Sequence, residues 1–352
     1  MTAEAPVLRR ARAEVPHEAP ASRTIWGLTP RDLAPVAGLV VVVAAVSPLL
    51  VGNAGRLDTS ITMATFAIIA VSLGLSYGLG GMLSLAQATF ASIGAYGTAI
   101  VSTSWGLPPT LGLVLAVAVP TVVAYGMARL IVRLSPLALA LATLAFSQLV
   151  QLAVNEGGDL TGGYIGISGI PGLAWFSSAE SLHALGWALV VLAMLVVLRV
   201  RSSNRGRALV AISTDTTLAK SVGIPVNAHL ASAFALGGAI AGVAGWYYAH
   251  TRGYLAPASL SLDVSFMIAI AVIVGGRRTL LGPIVGTVLI VLLRDLVPGA
   301  ESHGMFYGGG LILALLLFPE GVMGENWTAR LRRIRHRRSG AAPTDRPATK
   351  EA

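Results

Sequence analysis

The sequence predicts an all-α polytopic membrane protein of about ten transmembrane or re-entrant helices. Three observations carry this reading. Of 352 residues, 55% are hydrophobic and only 12% charged, against about 25% charged in soluble domains. Residues 59–128 contain no Asp, Glu, Lys or Arg, and one span needs about 20 apolar residues. The Arg and Lys residues sit in short connections and in the two tails, the positive-inside pattern. The net charge of +9 therefore reports orientation and argues against a nucleic-acid partner. The absence of cysteine excludes disulfides and thiolate metal sites.

Taken in order, residues 1–32 form a polar, Arg- and Pro-rich tail, expected to be disordered and cytoplasmic. The first span is 33–51, followed by an outside loop at 52–59. The uncharged stretch holds three segments, near 60–80, 83–103 and 109–128. The middle one is broken by Ser84, Gln87, Thr89, Ser92 and Tyr96, with Gly94 and Gly97 loosening it. Polar, Gly-interrupted backbone at membrane depth is tolerated only inside protein or beside a watery path, so this segment belongs in the bundle interior. Arg129 and Arg133 place the next connection inside, and 137–154 returns outward. Residues 155–182 carry Glu156, Asp159 and Glu180 and no Lys or Arg, as an outside loop should. Their Gly-rich run at 161–172 lacks the Gly-Lys-Ser/Thr of a phosphate loop. It reads as tight turns or as a rim element near a substrate entrance.

A span at 183–198 leads into the one long polar stretch of the middle of the chain, 199–230. Arg199, Arg201, Arg205, Arg207 and Lys220 put it inside. Thr214 or Asp215 can cap a short second helix, which Gly223 and Pro225 stop. Residues 231–250 go outward with Gly238 and Gly242 at the spacing that lets helices approach closely. Residues 264–274 return to Arg277 and Arg278; 280–297 go out and 304–318 return. Phe318-Pro319-Glu320-Gly321 breaks the last helix, the membrane domain closes near 325, and 326–352 form a basic tail. This places both termini inside. Arg252 and Arg294 fall near the outer side, where they would snorkel to the interface.

The chemistry narrows the function by exclusion. Ion-coupled transporters keep ionisable residues at membrane depth, and the first five segments have none away from their ends. The six His are scattered without a metal-binding pair, and no Walker A sequence is present. A pore-like bundle with a structured inner loop and no energy source of its own implies a permease driven by a separate ATPase docked on that loop. A stand-alone secondary transporter or channel is the alternative from another class.

Several stretches resemble the membrane permease subunits of branched-chain amino-acid ABC importers, of the LivM type. They are LSLAQATFASIGAY at 83–96, ALATLAFSQLV at 140–150, TGGYIGISGIP at 161–171, GRALVAI at 206–212, SVGI at 221–224, AGVAGWYYAH at 241–250, GGRRTLLGPIVG at 275–286 and FPEGVMG at 318–324. Together they cover roughly residues 55–325. Three departures stand out: Asp215 is the sole acid of the inner loop, Arg277, Arg278 and Thr279 replace smaller residues, and Ala86 replaces a Gly. The resemblance implies a bacterial inner-membrane heterodimer with a second permease. Two cytoplasmic ATPases would hold the ATP, an external binding protein would deliver substrate, and this chain would carry no cofactor. Leu, Ile and Val are the implied substrates; urea, short amides and aromatic acids are the alternative cargo. Candidate path residues are Ser84, Gln87, Thr143, Gln148, Thr161, Gly162 and Gly163. Candidate ATPase-coupling residues are Gly206, Arg207, Ala211, Asp215, Ala219 and Gly223.

Overall fold

The computed structural model describes residues 30–296 and 321–323. The expected span at 304–318, most of the helix break before Gly321 and the bulk of both tails lie outside the described residues. The described chain is helical apart from one tiny sheet. Its helices are α1 (Pro30–Leu50), α2 (Ala54–Leu73), α3 (Gln87–Thr103), α4 (Pro109–Ile131), α5 (Pro136–Asn155), α6 (Ala179–Ser202), α7 (Asn204–Thr214), α8 (Thr216–Ser221), α9 (Val226–Arg252), α10 (Leu262–Gly275) and α11 (Gly282–Leu296). A π-helical turn, Gly74–Leu79, prolongs α2, and a 3₁₀ turn, Pro257–Leu260, precedes α10. Among the described residues, seven helices are long and apolar enough to cross a membrane. Helices α3 and α11, with 17 and 15 residues, are shorter.

Two sequence expectations shift. The outside loop expected at 52–59 shrinks, because Asn53 caps α2 by accepting from the Arg56 N–H at 3.1 Å and the helix starts at Ala54. The segment expected at 83–103 is helical only from Gln87. Its first residues are non-helical, since Gly81 takes a left-handed φ of +71° that ends the preceding turn.

Helix α9 is the centre, packed by α2, α3 and α4. Small residues make this possible. A Cβ on Gly242 would lie 1.8 Å from the Ala116 carbonyl oxygen, and one on Gly245 would lie 1.9 Å from that of Ala91. Gly238 meets Pro120 and Ala124 of α4 in the same way. Lipid offers no hydrophobic drive between helices, so such close backbone approach supplies the dispersion contact that holds them. Helices α10 and α11 form a hairpin against α2, and α6 packs on the other flank of α2. Helices α1 and α5 sit at the periphery with most of their surface uncovered.

The bundle has two distinct ends. One gathers arginines: Arg201 donates to the Arg278 carbonyl at 3.2 Å, and the Arg277 guanidinium lies 4.9 Å from the centre of the Tyr77 ring. The other end carries the long Gly-rich loop. There β1 (Ile167–Ser168) pairs antiparallel with β2 (Tyr254–Leu255). Arg252, expected to snorkel to the interface, is ion-paired to Asp58 at 2.6 Å and donates to Thr62 at 2.6 Å. That contact pins the end of α9 to the start of α2.

Candidate functional site

The most unusual backbone in the bundle is the break between α2 and α3. Residues 82–86 are non-helical and, apart from the partly buried Leu83, buried, and Gln87 lies level with Gly237, eleven residues into α9. At 1.5 Å per residue, α3 therefore begins roughly 16 Å from the arginine end. Non-helical backbone at that depth leaves N–H and C=O groups without helical partners, and each unmet group costs several kcal/mol. Hydroxyls from two helices, α5 and α10, and from Ser84 of the break itself meet the need. Thr143 Oγ1 accepts from the Leu85 N–H at 3.0 Å, and Ser147 Oγ donates to the Leu85 carbonyl at 3.1 Å. Ser84 Oγ accepts from the Ala86 N–H at 3.2 Å, and Ser265 Oγ accepts from the Ala88 N–H at 3.2 Å. Gln87 is buried between Ser72, which donates to its Oε1 at 3.1 Å, and Ser76, which accepts from its Nε2 at 3.3 Å.

The break thus brings together Ser84, Gln87 and Thr143, with their hydrogen bonds directed at the protein itself. Gln148 is not part of this group. Thr143 and Ser147 are one helical turn apart and face inward, whereas Gln148, five residues beyond Thr143, is turned roughly 140° away and exposed. Thr161, Gly162 and Gly163 stand at the opposite end, in the Gly-rich loop. Thr161 Oγ1 donates to the Val154 carbonyl at 2.6 Å and accepts from the Gly163 N–H at 3.3 Å. Gly162 has φ +72°, and a Cβ there would lie 2.1 Å from the Gly166 oxygen. These glycines serve tight turns docked on β2.

Sequence reasoning missed Ser147 and Ser265. The first was legible, being four residues after Thr143 on one helix face. The second is not, because it meets the break from 177 positions away. Beside the break lies a cavity of about 10 Å³, room for one water, lined by hydroxyl and amide groups of Thr89, Ser92, Ser147, Gln151 and Ser261. It marks a polar seam between α3, α5 and the start of α10.

One prediction separates the roles within the break. Thr143→Val removes the partner of a buried N–H and is expected to cost about 1–3 kcal/mol. Gln87→Leu leaves Ser72 and Ser76 bonded to their own helix carbonyls and is expected to cost about 1 kcal/mol, two membrane hydrogen bonds. Thermal unfolding of the purified variants should rank Thr143→Val below Gln87→Leu; the reverse order would make Gln87 the keystone.

The second zone is the helix pair α7–α8 at the arginine end. Ser203 caps α7 by accepting from the Gly206 N–H at 3.3 Å. Gly206 is buried where a Cβ would lie 2.2 Å from the Val200 oxygen, so α6 and α7 meet backbone to backbone. Leu209, Ile212 and Ala219 are buried and hold the pair to the bundle. Asp215 caps α8, accepting from the N–H groups of Thr217 and Leu218 at 2.8 and 2.9 Å. Gly223, at φ +81°, ends it, with Ile224 N–H bonded back to the Ala219 carbonyl. Of the expected coupling residues, Arg207, Ala211, Asp215 and Gly223 are exposed, while Gly206 and Ala219 are buried anchors. The loop also shows three apolar side chains to the outside, Val210, Leu218 and Val222, the last two 61% and 67% exposed. Their signal in the sequence was the i, i+4 spacing of 218 and 222 within a polar stretch.

Residues 55–318 match the family described as "Branched-chain amino acid transport system / permease component". That match covers three quarters of the chain and spans both zones. The chain belongs to this permease family. The LivM high-affinity branched-chain amino acid transport permease of Salmonella typhimurium is 27% identical over 312 residues, covering 81% of this chain and 73% of the relative. The LivM protein of Escherichia coli K12 is 27% identical over 317 residues with the same coverage. The LivH permease of Salmonella typhimurium is 25% identical over 289 residues, covering 74% of this chain and 92% of the relative. No solved structure matches the chain. The permease is thus a multi-pass, LivM-type subunit of an ABC importer, and its break and helix pair belong to the matched region.

Proposed function

We propose that this chain is a transport subunit that forms one half of the path for branched-chain amino acids and takes its energy from ATP bound on separate ATPase subunits through α7–α8. The observation that carries the reading is the rigid, doubly capped helix pair at the arginine end. It presents Val210, Leu218 and Val222 to solvent, and exposed apolar side chains on a structured element mark an interaction site. Positive-inside bias puts this end, and both termini, in the cytoplasm, where the ATPases are. The opposite end then faces outward, toward an external binding protein. The path is assigned to the polar seam of α3, α5 and α10 beside the break.

A second permease is supported by Gln148. It stands thirteenth in α5, roughly 18 Å along the helix, with its amide exposed on an otherwise leucine-rich face. An amide facing hydrocarbon lacks hydrogen-bond partners, which is costly. A neighbouring subunit gives it them, and LivH-like chains are the fitting partner. The test is reconstitution of this chain with the second permease, the two ATPases and the binding protein in liposomes. Leucine uptake is expected only with all components and ATP. Leucine flux through this chain alone would replace the reading with a stand-alone transporter, and uptake of urea or amides in place of leucine would reassign the cargo.

A further inference from the structure

A cavity of about 750 Å³ opens between α1, α2, α6 and α11. Helix α1 leans on α6 and touches α2 only slightly, which leaves the gap. The walls are apolar, from Val42, Val43, Val46, Met63, Val288 and Leu292 among others. Its polar wall groups are already occupied by one another. His183 bonds Ser47 Oγ through Nε2 at 3.0 Å and Ser60 Oγ through Nδ1 at 2.9 Å, and Trp187 Nε1 donates to Ser60 at 3.0 Å. A zwitterionic amino acid would find no carboxylate or ammonium partner in its depth.

At the end away from the arginines, the cavity is bordered by Asn53, Gly55 and Arg56. Asp58, two residues further along α2, is committed to Arg252 rather than to Arg56. Arg56 sits in the first turn of α2, where the helix dipole favours an anion, beside the Asn53 side chain that caps its N–H. Along α1 the groove runs from Leu39 to Leu50, eleven residues or roughly 16 Å. That is about half of the ~30 Å hydrocarbon core, the depth of one leaflet.

We propose that this groove binds an anionic phospholipid of the outer leaflet, one acyl chain between α1, α2 and α11 and the phosphate at Arg56. The chain moves from one apolar medium to another, so selectivity rests on the headgroup.

The absence of cysteine from the protein makes a single introduced thiol a unique label. The full chain carrying Val42→Cys in the groove, or Val122→Cys on the exposed face of α4, is labelled with a fluorophore. It is then placed in phosphatidylcholine nanodiscs containing a minor fraction of brominated phosphatidylglycerol or brominated phosphatidylcholine. Val42 and Val122 are 58% and 70% exposed, so both labels fit. Quenching at Val42→Cys should favour phosphatidylglycerol about fivefold, the worth of one basic residue at an anionic headgroup. Val122→Cys should show no preference, and Arg56→Gln should erase the preference at Val42→Cys. Equal quenching by both lipids would overturn the anionic assignment. Absence of quenching by either would show the groove filled by protein, such as residues 304–318 of this chain or a partner subunit.

Discussion

Leu218→Glu is expected to abolish ATP-driven uptake while leaving the permease folded and in the membrane. Leu218 is 61% exposed and lies on α8 beside Val222, so a change there touches no packed contact, and such surface changes usually stay within about 0.5 kcal/mol of wild type. The helix itself survives, because Asp215 still caps it at the Thr217 and Leu218 N–H groups. What changes is the face that the proposed coupling gives to the ATPase. An apolar anchor buried at an interface typically contributes about 2 kcal/mol or more, and a carboxylate in its place adds a desolvation cost. Association should weaken about 30-fold at least. Two measurements check this: ATPase recovered on affinity-tagged permease, and leucine uptake in the reconstituted system. Both should fall together, with permease yield and thermal unfolding unchanged. Full uptake in Leu218→Glu would remove α8 from the coupling surface. The arginines flanking the pair, Arg205 and Arg207, carry a further expectation for the partner's chemistry: with Asp215 the lone acid between 199 and 230, the complementary ATPase surface should be acidic around an apolar groove.

Much of this was legible in the sequence, and the reasons differ by element. The helix pair was, since capping chemistry is local: an Asp at the start and a Gly at the end of six residues define α8 without reference to the rest of the fold. The close approach at Gly238 and Gly242 was also legible, because four-residue spacing of small side chains has one physical use in lipid. The polarity of the stretch around Gln87 announced an interior position, and all three of Ser84, Gln87 and Thr143 are buried. Their task was not legible. Satisfying the Leu85 and Ala88 backbone groups depends on which hydroxyls α5 and α10 bring across the bundle, and no local rule fixes that. The two buried histidines show the same limit. His250 is held between the Pro171 carbonyl at 2.7 Å and Thr98 at 3.2 Å, and His183 between two serines, whereas in the sequence they are only scattered, lone residues. Arg252 likewise looked misplaced until α2 brought Asp58 to it.

Gly242→Leu is expected to prevent assembly of the bundle. A Cβ at 242 would lie 1.8 Å from the Ala116 carbonyl oxygen and 3.0 Å from the Pro120 ring. Both belong to α4, and the first is backbone, which cannot rotate aside. A Leu could be accommodated only by moving α4 away from α9 by several ångströms. That would also open the contact of Gly94 with the Ala116 carbonyl and so pull α4 away from both α3 and α9 at the point where all three meet. Overpacking a core costs about 1–3 kcal/mol when side chains can shift, and more when they cannot. In lipid the loss has no compensation from water, since helix association there rests on this packing. Gly126→Leu is the control: it lies on α4 as well, but a Cβ there meets nothing within 4 Å, and better helix propensity should leave it neutral or slightly favourable. Expression of tagged protein in membranes, followed by size-exclusion profiles in mild detergent, should show Gly242→Leu degraded or aggregated and Gly126→Leu monodisperse. Should Gly242→Leu instead yield a monodisperse protein with normal uptake, the α4–α9 contact would not be the one that holds the bundle together, and the central place of α9 in the fold would have to be redrawn.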